Sequence, residues 1–138
     1  MSHGRHVHTA DSPAPSGSYS QARVSNGMLF LAGVGPYDPV TRQVVGATIA
    51  EQTERVLENI RAVLLAAGRD LADVITTTAY LADLEHDWNE FDVTYGRFFS
   101  PPYPARTAVG AQLKNVLVEV AVVAELEPIG TWQPTSST

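Results

Sequence analysis

The chain contains no cysteine, which excludes disulfides, thiolate metal sites and a cysteine nucleophile. Lysine is nearly missing too: Lys114 is the only one, so Schiff-base capture of a substrate would rest on a single loop residue. Cations of any kind are scarce, with nine Lys and Arg against fifteen Asp and Glu and a formal charge of −6. Nucleic-acid binding draws on clustered cations that release condensed counterions. No such cluster exists, so neither RNA nor DNA is an expected partner. No apolar run is long enough to cross a bilayer: the longest, near 117–124, is interrupted by Glu119. The first residues lack the apolar stretch of a secretory leader, so a cytoplasmic protein with no membrane partner is expected. At 138 residues there is enough chain for one domain with its own core.

Residues 1–17 are small, polar and interrupted by Pro13 and Pro15, and read as a flexible N-terminal arm. His3, His6 and His8 could hold a metal ion only loosely, because no second cluster completes a shell. A solvated tail is the simpler reading, and no metal site is assigned. The domain proper is expected over 18–128, followed by a polar C-terminal tail, 129–138. Within it, Asn26-Gly27 between Ala22–Ser25 and Met28–Ala32 predicts a hairpin, because both turn positions favour positive φ. Thr48 with Glu51 forms a capping-box pattern that opens a helix. Val56, Leu57, Ile60, Val63, Leu64 and Ala67 give it one apolar face, and Gly68 closes it. Asn59 and Gln52 on that helix are most simply capping or solvent-facing groups. Val74–Leu81 is rich in β-branched residues and predicts a strand. A second helix is expected from about Asp87 until Pro101-Pro102 stops the chain, with Trp88, Phe91, Tyr95, Phe98 and Phe99 on one face as core or interface. Two further strands are expected near 106–111 and 116–125. The order ββαβαββ, with both helices able to cover one face of a mixed sheet, gives a two-layer α+β sandwich.

Two charges stand where a core would refuse them unpaired. Arg106 enters a strand behind a proline, and Glu119 interrupts Leu117–Ala124. A guanidinium offers a planar fork to a carboxylate, and a glutamate can orient or deprotonate water. Together they suggest a site for a small carboxylate-bearing molecule that reacts with water. The plainer alternatives are that Arg106 pairs with a carboxylate of its own or a neighbouring chain, and that Glu119 is its buried partner.

An ordered series of short motifs then resembles the reactive-intermediate deaminase (RidA/YjgF) family over roughly Ser12 to Glu125. The pieces are Gly17-Ser18-Tyr19-Ser20-Gln21, Leu31-Ala32-Gly33-Val34-Gly35-Pro36, Glu51-Gln52-Thr53, Val56-Leu57-Glu58-Asn59-Ile60, Ala66-Ala67-Gly68, Tyr95-Gly96-Arg97-Phe98-Phe99, Pro104-Ala105-Arg106-Thr107 and Val118-Glu119-Val120. The resemblance implies a chorismate-mutase-like α+β fold and a homotrimer with ligand sites in the clefts between subunits. It also implies cofactor-free and metal-free hydrolysis of enamines and imines, of the 2-aminoacrylate, 2-iminobutanoate and 2-iminopropanoate kind, to 2-oxo acids and ammonia. On this likeness Arg106 holds the substrate carboxylate, Glu119 orients the water, Tyr19 assists, and Gly33 lines the site. Ala108 contributes backbone there, and Asp92 stands near the ligand.

The sequence departs from the familiar pattern at three such positions: Ala108 stands for a frequent Cys, Asp92 for a frequent Asn, and Ser18 for the Pro that often precedes the tyrosine. An ionised Asp92 facing the site would repel a substrate carboxylate. The span from Arg106 to Glu119 also looks about two residues short. These departures leave two alternatives beside a generic imine deaminase. One is a pathway-specific relative acting on another enamine or amide. The other is a non-catalytic metabolite-binding or regulatory module using the same cleft.

Overall fold

The computed structural model describes residues 5–126, so the tail expected over 129–138 and His3 lie outside the described residues. The elements in chain order are β1 (His6–Val7), β2 (Ala22–Ser25), β3 (Met28–Leu31), α1 (Ile49–Ala66), β4 (Val74–Leu81), α2 (Leu84–Gly96), β5 (Ala105–Gly110) and β6 (Val118–Glu125). The strands form one sheet in the order β1-β2-β3-β6-β4-β5. Only β4 and β5 run parallel, because the crossover through α2 returns the chain to the same end of the sheet. The other pairs are antiparallel.

Both helices lie on one face. Alternate residues of β6, Val118, Val120, Val122 and Ala124, point into it and are buried, as are Leu29 and Leu31 of β3. From α1, Val56, Leu57, Ile60, Val63 and Leu64 meet them. Truncating Leu57, Ile60 or Leu64 to Ala is expected to cost about 2–5 kcal/mol. The other sheet face carries Phe30, Val123, Thr76 and Ala105 in one cross-strand row, and Phe30 is 45% exposed. This is the two-layer α+β arrangement read from the sequence. Among the described residues no helix is long and apolar enough to cross a membrane.

Local chemistry sets the boundaries. Asn26 and Gly27 both take positive φ, as the hairpin turn requires. Thr48 caps α1 with the reciprocal Glu51 bond. In contrast, α2 opens at Leu84 rather than near Asp87, because Asp83 accepts from the His86 N–H and serves as the cap. Strand β6 begins at Val118, later than expected. The preceding loop is fastened instead by Ala82 N–H to the Leu117 carbonyl, and Asn115 sits at φ 64°.

The segment expected to be loose over 1–17 is tied down from residue 5 on. His6–Val7 pairs with β2, and Ser12 is buried with its hydroxyl donating to the Asn59 carbonyl. The buried Gln21 amide donates to the carbonyls of Thr9, Ser12 and Pro13 and accepts from the Thr9 N–H. A polar stretch lacking apolar periodicity can be ordered when one buried side chain satisfies its backbone groups.

Candidate functional site

The loop leaving β3 doubles back onto β6. Val34 and Val120 exchange N–H···O bonds of 2.8 and 3.1 Å, which sets Gly33 against Glu119. The fit is tight: a Cβ on Gly33 would fall 2.9 Å from the Glu119 Cδ, so the missing side chain is what makes room for the carboxylate. Glu119 faces away from the helices because its neighbours Val118 and Val120 fill the core. Beside it opens a cavity of about 440 Å³ bordered by Tyr19, Gln21, Gly33, Tyr37, Arg42, Lys114 and Glu119. The Tyr19 hydroxyl accepts from the Ser16 N–H at 3.1 Å and lies 3.3 Å from the Ser16 hydroxyl, which holds the half-exposed ring at the cavity edge.

Arg106 belongs to a different neighbourhood. It sits across from the buried Thr77 of β4, so it projects on the helix side of the sheet. Its guanidinium lies over three rings of α2, 5.1 Å from Trp88, 5.8 Å from Phe91 and 4.8 Å from Tyr95. These contacts fix the plane of the fork by cation–π attraction. Asp92 accepts from Nη1 at 2.7 Å. Burial pushes the Tyr95 phenol up, opposed by its hydrogen bond to Thr77 and by the Arg106 charge. Ala108, two residues along β5, projects on the same side.

The six residues singled out in the sequence therefore fall into two sets. Tyr19, Gly33 and Glu119 form one; Arg106, Ala108 and Asp92 form the other. Arg106 and Glu119 lie two strands and three residues apart, roughly 14 Å between Cα atoms, and point from opposite faces. The alternative in which Glu119 is the buried partner of Arg106 does not hold within the protomer, where Asp92 takes that place. Asp92, expected to repel a substrate carboxylate if it faced the site, is engaged instead with the arginine expected to hold that carboxylate.

Two polar residues assigned to solvent or caps are buried and shape the site. Asn59 donates to the carbonyls of Gly35 (3.0 Å) and Tyr37 (2.9 Å). Gln52 donates to the Gly46 carbonyl and accepts from the Leu117 N–H. Both occur in the motif series, which was the available signal. Arg42 carried none. Among the described residues no three His, Cys, Asp or Glu side chains converge as a metal shell. The arrangement offers a carboxylate able to take a proton from water, a phenol at the edge of the same cavity, and a pre-oriented guanidinium displayed elsewhere on the same chain.

Comparison with known proteins gives these features relatives. A family model described as Endoribonuclease L-PSP matches residues 9–126. A protein of Lactococcus lactis named as a regulator, AldR, is 42% identical over 123 residues, covering 88% of this chain and 97% of that one. The chloroplastic Reactive Intermediate Deaminase A of Arabidopsis thaliana is 38% identical over 122 residues, covering 87% and 65% respectively. The crystal structure of RidA from an Antarctic Psychrobacter superposes with a TM-score of 0.81 at 32% identity, covering 86% of this chain and 97% of that one.

Proposed function

The chain belongs to the Endoribonuclease L-PSP family, which is the YjgF/RidA family, and from that premise we propose that it is a cofactor-free hydrolytic deaminase of small 2-imino and enamine acids. It works as a cytoplasmic homotrimer without nucleic-acid or membrane partners. Arg106 of one copy anchors the substrate carboxylate, while Glu119 and Tyr19 of the next manage the water.

The observation that carries this reading is the division of the six residues into two incomplete halves on opposite sheet faces. Neither half can do the chemistry alone, and a second copy supplies what each lacks. The bond to Asp92 engages Nη1 of Arg106, so the rest of the fork remains for a ligand carboxylate. Glu119 takes a proton from the water as its oxygen bonds to C2 of the imine, and returns that proton to the nitrogen. The remaining hydroxyl proton then passes to the nitrogen by the same carboxylate as the C2–N bond breaks, so ammonia leaves and C2 becomes the carbonyl of the 2-oxo acid. Such imines already hydrolyse in water, so positioning and proton transfer suffice. The sparse cations disfavour the endoribonuclease activity that the family description names.

The test is an amino-acid oxidase or threonine dehydratase that generates 2-iminopropanoate or 2-iminobutanoate, with semicarbazide trapping the remainder. Wild type is expected to deplete the trapped imine, and Arg106→Ala and Glu119→Gln to fail. Mixing the two variants under conditions of subunit exchange should restore part of the activity. A wild-type protein that leaves the trapped imine unchanged overturns the proposal. One observation favours a second reading, a metabolite-binding regulatory module: Arg106 already has a carboxylate partner. Binding of 2-oxobutanoate without turnover is the outcome that would select it.

A further inference from the structure

Four cationic side chains, Arg55, Arg61, Arg69 and Arg106, pair with carboxylates. Arg42 and Lys114 are in no ion pair among the described residues, yet both border the cavity that holds Glu119. Glu119 is the only carboxylate of that lining among the described residues. A chain of formal charge −6 thus gives one cavity a positive excess, which concentrates anions there.

The two cations are carried by braced turns. Arg42 sits at φ 63° in a loop closed by the Tyr37–Val44 bridge, with its N–H donating to the Asp38 carbonyl at 2.9 Å. The Asp38 carboxylate accepts from the N–H groups of Val40 and Thr41 within the same loop. Lys114 precedes the turn at Asn115, which has φ 64°. Two buried amides of α1 anchor these loops: Asn59 holds the carbonyls of Gly35 and Tyr37, and Gln52 holds the N–H of Leu117. Helix α1 therefore fixes both cation-bearing loops at one cavity, which lowers the ordering cost of binding there. The cavity, at about 440 Å³, lies within the range of roughly 300–1,000 Å³ that accommodates ligands much larger than a three- or four-carbon acid.

We propose that Arg42 and Lys114 form a second anion subsite, and that the preferred substrate is a 2-imino acid whose side chain ends in a further carboxylate. This rests on the deaminase reading above and names its substrate class. Arg106 of the adjoining copy takes the carboxylate next to the reacting C2, and Arg42 with Lys114 takes the distal one. Hydrolysis consumes one water per imine, releases ammonia and yields a dicarboxylic 2-oxo acid, as 2-iminoglutarate gives 2-oxoglutarate. The supplying reaction would be one that oxidises the C2–N bond of an acidic amino acid, with its own electron acceptor, or that eliminates water from a 3-hydroxylated one.

The deciding measurement is calorimetric binding of 2-oxoglutarate and 2-oxobutanoate at low ionic strength, which needs no turnover. Wild type is expected to bind the dicarboxylate at least about tenfold more tightly. Lys114→Gln and Arg42→Gln should each cut that ratio about two- to fivefold, the upper part of the range for one exposed ion pair. Both residues are exposed, so the variants should fold, and circular dichroism checks that they do. Equal affinity of wild type for the two acids, or a ratio unmoved in both variants, overturns the subsite. Parallel imine assays separate the two claims: a retained dicarboxylate preference with no hydrolysis of either imine removes the deaminase reading and leaves the subsite standing.

Discussion

Asp92 accepts a 2.7 Å hydrogen bond from Arg106 while the same guanidinium lies over Trp88, Phe91 and Tyr95. The arginine is therefore aimed by rings and carboxylate together, and it carries its own counter-charge. Asp92→Asn keeps an oxygen acceptor but removes the negative charge. Binding of 2-oxobutanoate should tighten several-fold in calorimetry. The thermal midpoint should move little, because Asp92 is half exposed and such pairs contribute about 0–1 kcal/mol. Unchanged affinity would show that Arg106 does not receive the ligand.

Gly33→Ala tests the close approach to Glu119. Gly33 does not need a positive φ, so the backbone accepts alanine, and the nearest conflict is with the Glu119 side chain. Displacing a reacting group by about an ångström costs up to roughly a hundredfold, so kcat/KM on 2-iminobutanoate should fall about ten- to hundredfold. The urea midpoint should stay close to wild type. A variant with full activity would mean that Glu119 acts from another position or not at all.

Asn59→Leu keeps the volume and removes both bonds that hold the loop at Gly35 and Tyr37. Leaving part-buried carbonyls unpaired should cost about 2–4 kcal/mol in denaturant unfolding. A loss under 1 kcal/mol would mean that water replaces the amide freely.

Stability should peak in mildly acid solution. The hydrogen bond and charge of Asp87, with Asp83, raise the His86 pKa above its ordinary 6.5. Its contribution is complete below that value and fades as pH rises through the higher folded one. Asp38 is lowered by the N–H groups of Thr41 and Val40, Glu51 by those of Ala47 and Thr48, and Asp70 by the N–H of Leu71 and then by Arg61. Their contributions hold above about pH 4–4.5 and are lost as pH falls through the lower folded values. Urea midpoints from pH 3 to 9 should decline on both sides, and His86→Gln should flatten the alkaline side. A wild-type curve already flat from pH 6 to 9 would remove the role given to His86.

Much of the architecture was legible because its signals are local. Asn26-Gly27 states its own turn, Thr48 and Glu51 state their own cap, and the period of α1 states its buried face. What escaped depends on partners far along the chain. Asn59 reaches residues 22 and 24 positions away, and Gln52 reaches one 65 positions away. Apart from their place in the motif series, nothing beside them in sequence distinguishes a buried bridging amide from a solvated one. The same holds for Gln21, whose bonds convert an apparent arm into part of the body. Arg106 and Glu119 were identified by residue type, but their separation onto opposite faces is set by strand register across β4 and β6, which the intervening loop hides.

A solitary lysine at the rim of the cavity also makes the molecule self-reporting. Amine-directed reagents have one side-chain target, Lys114, so an isotope-labelled methyl group introduced by reductive methylation, which keeps the positive charge, marks a single side chain. Occupancy of the cavity can then be followed as a magnetic-resonance signal from that one address, without engineering a handle into the sequence.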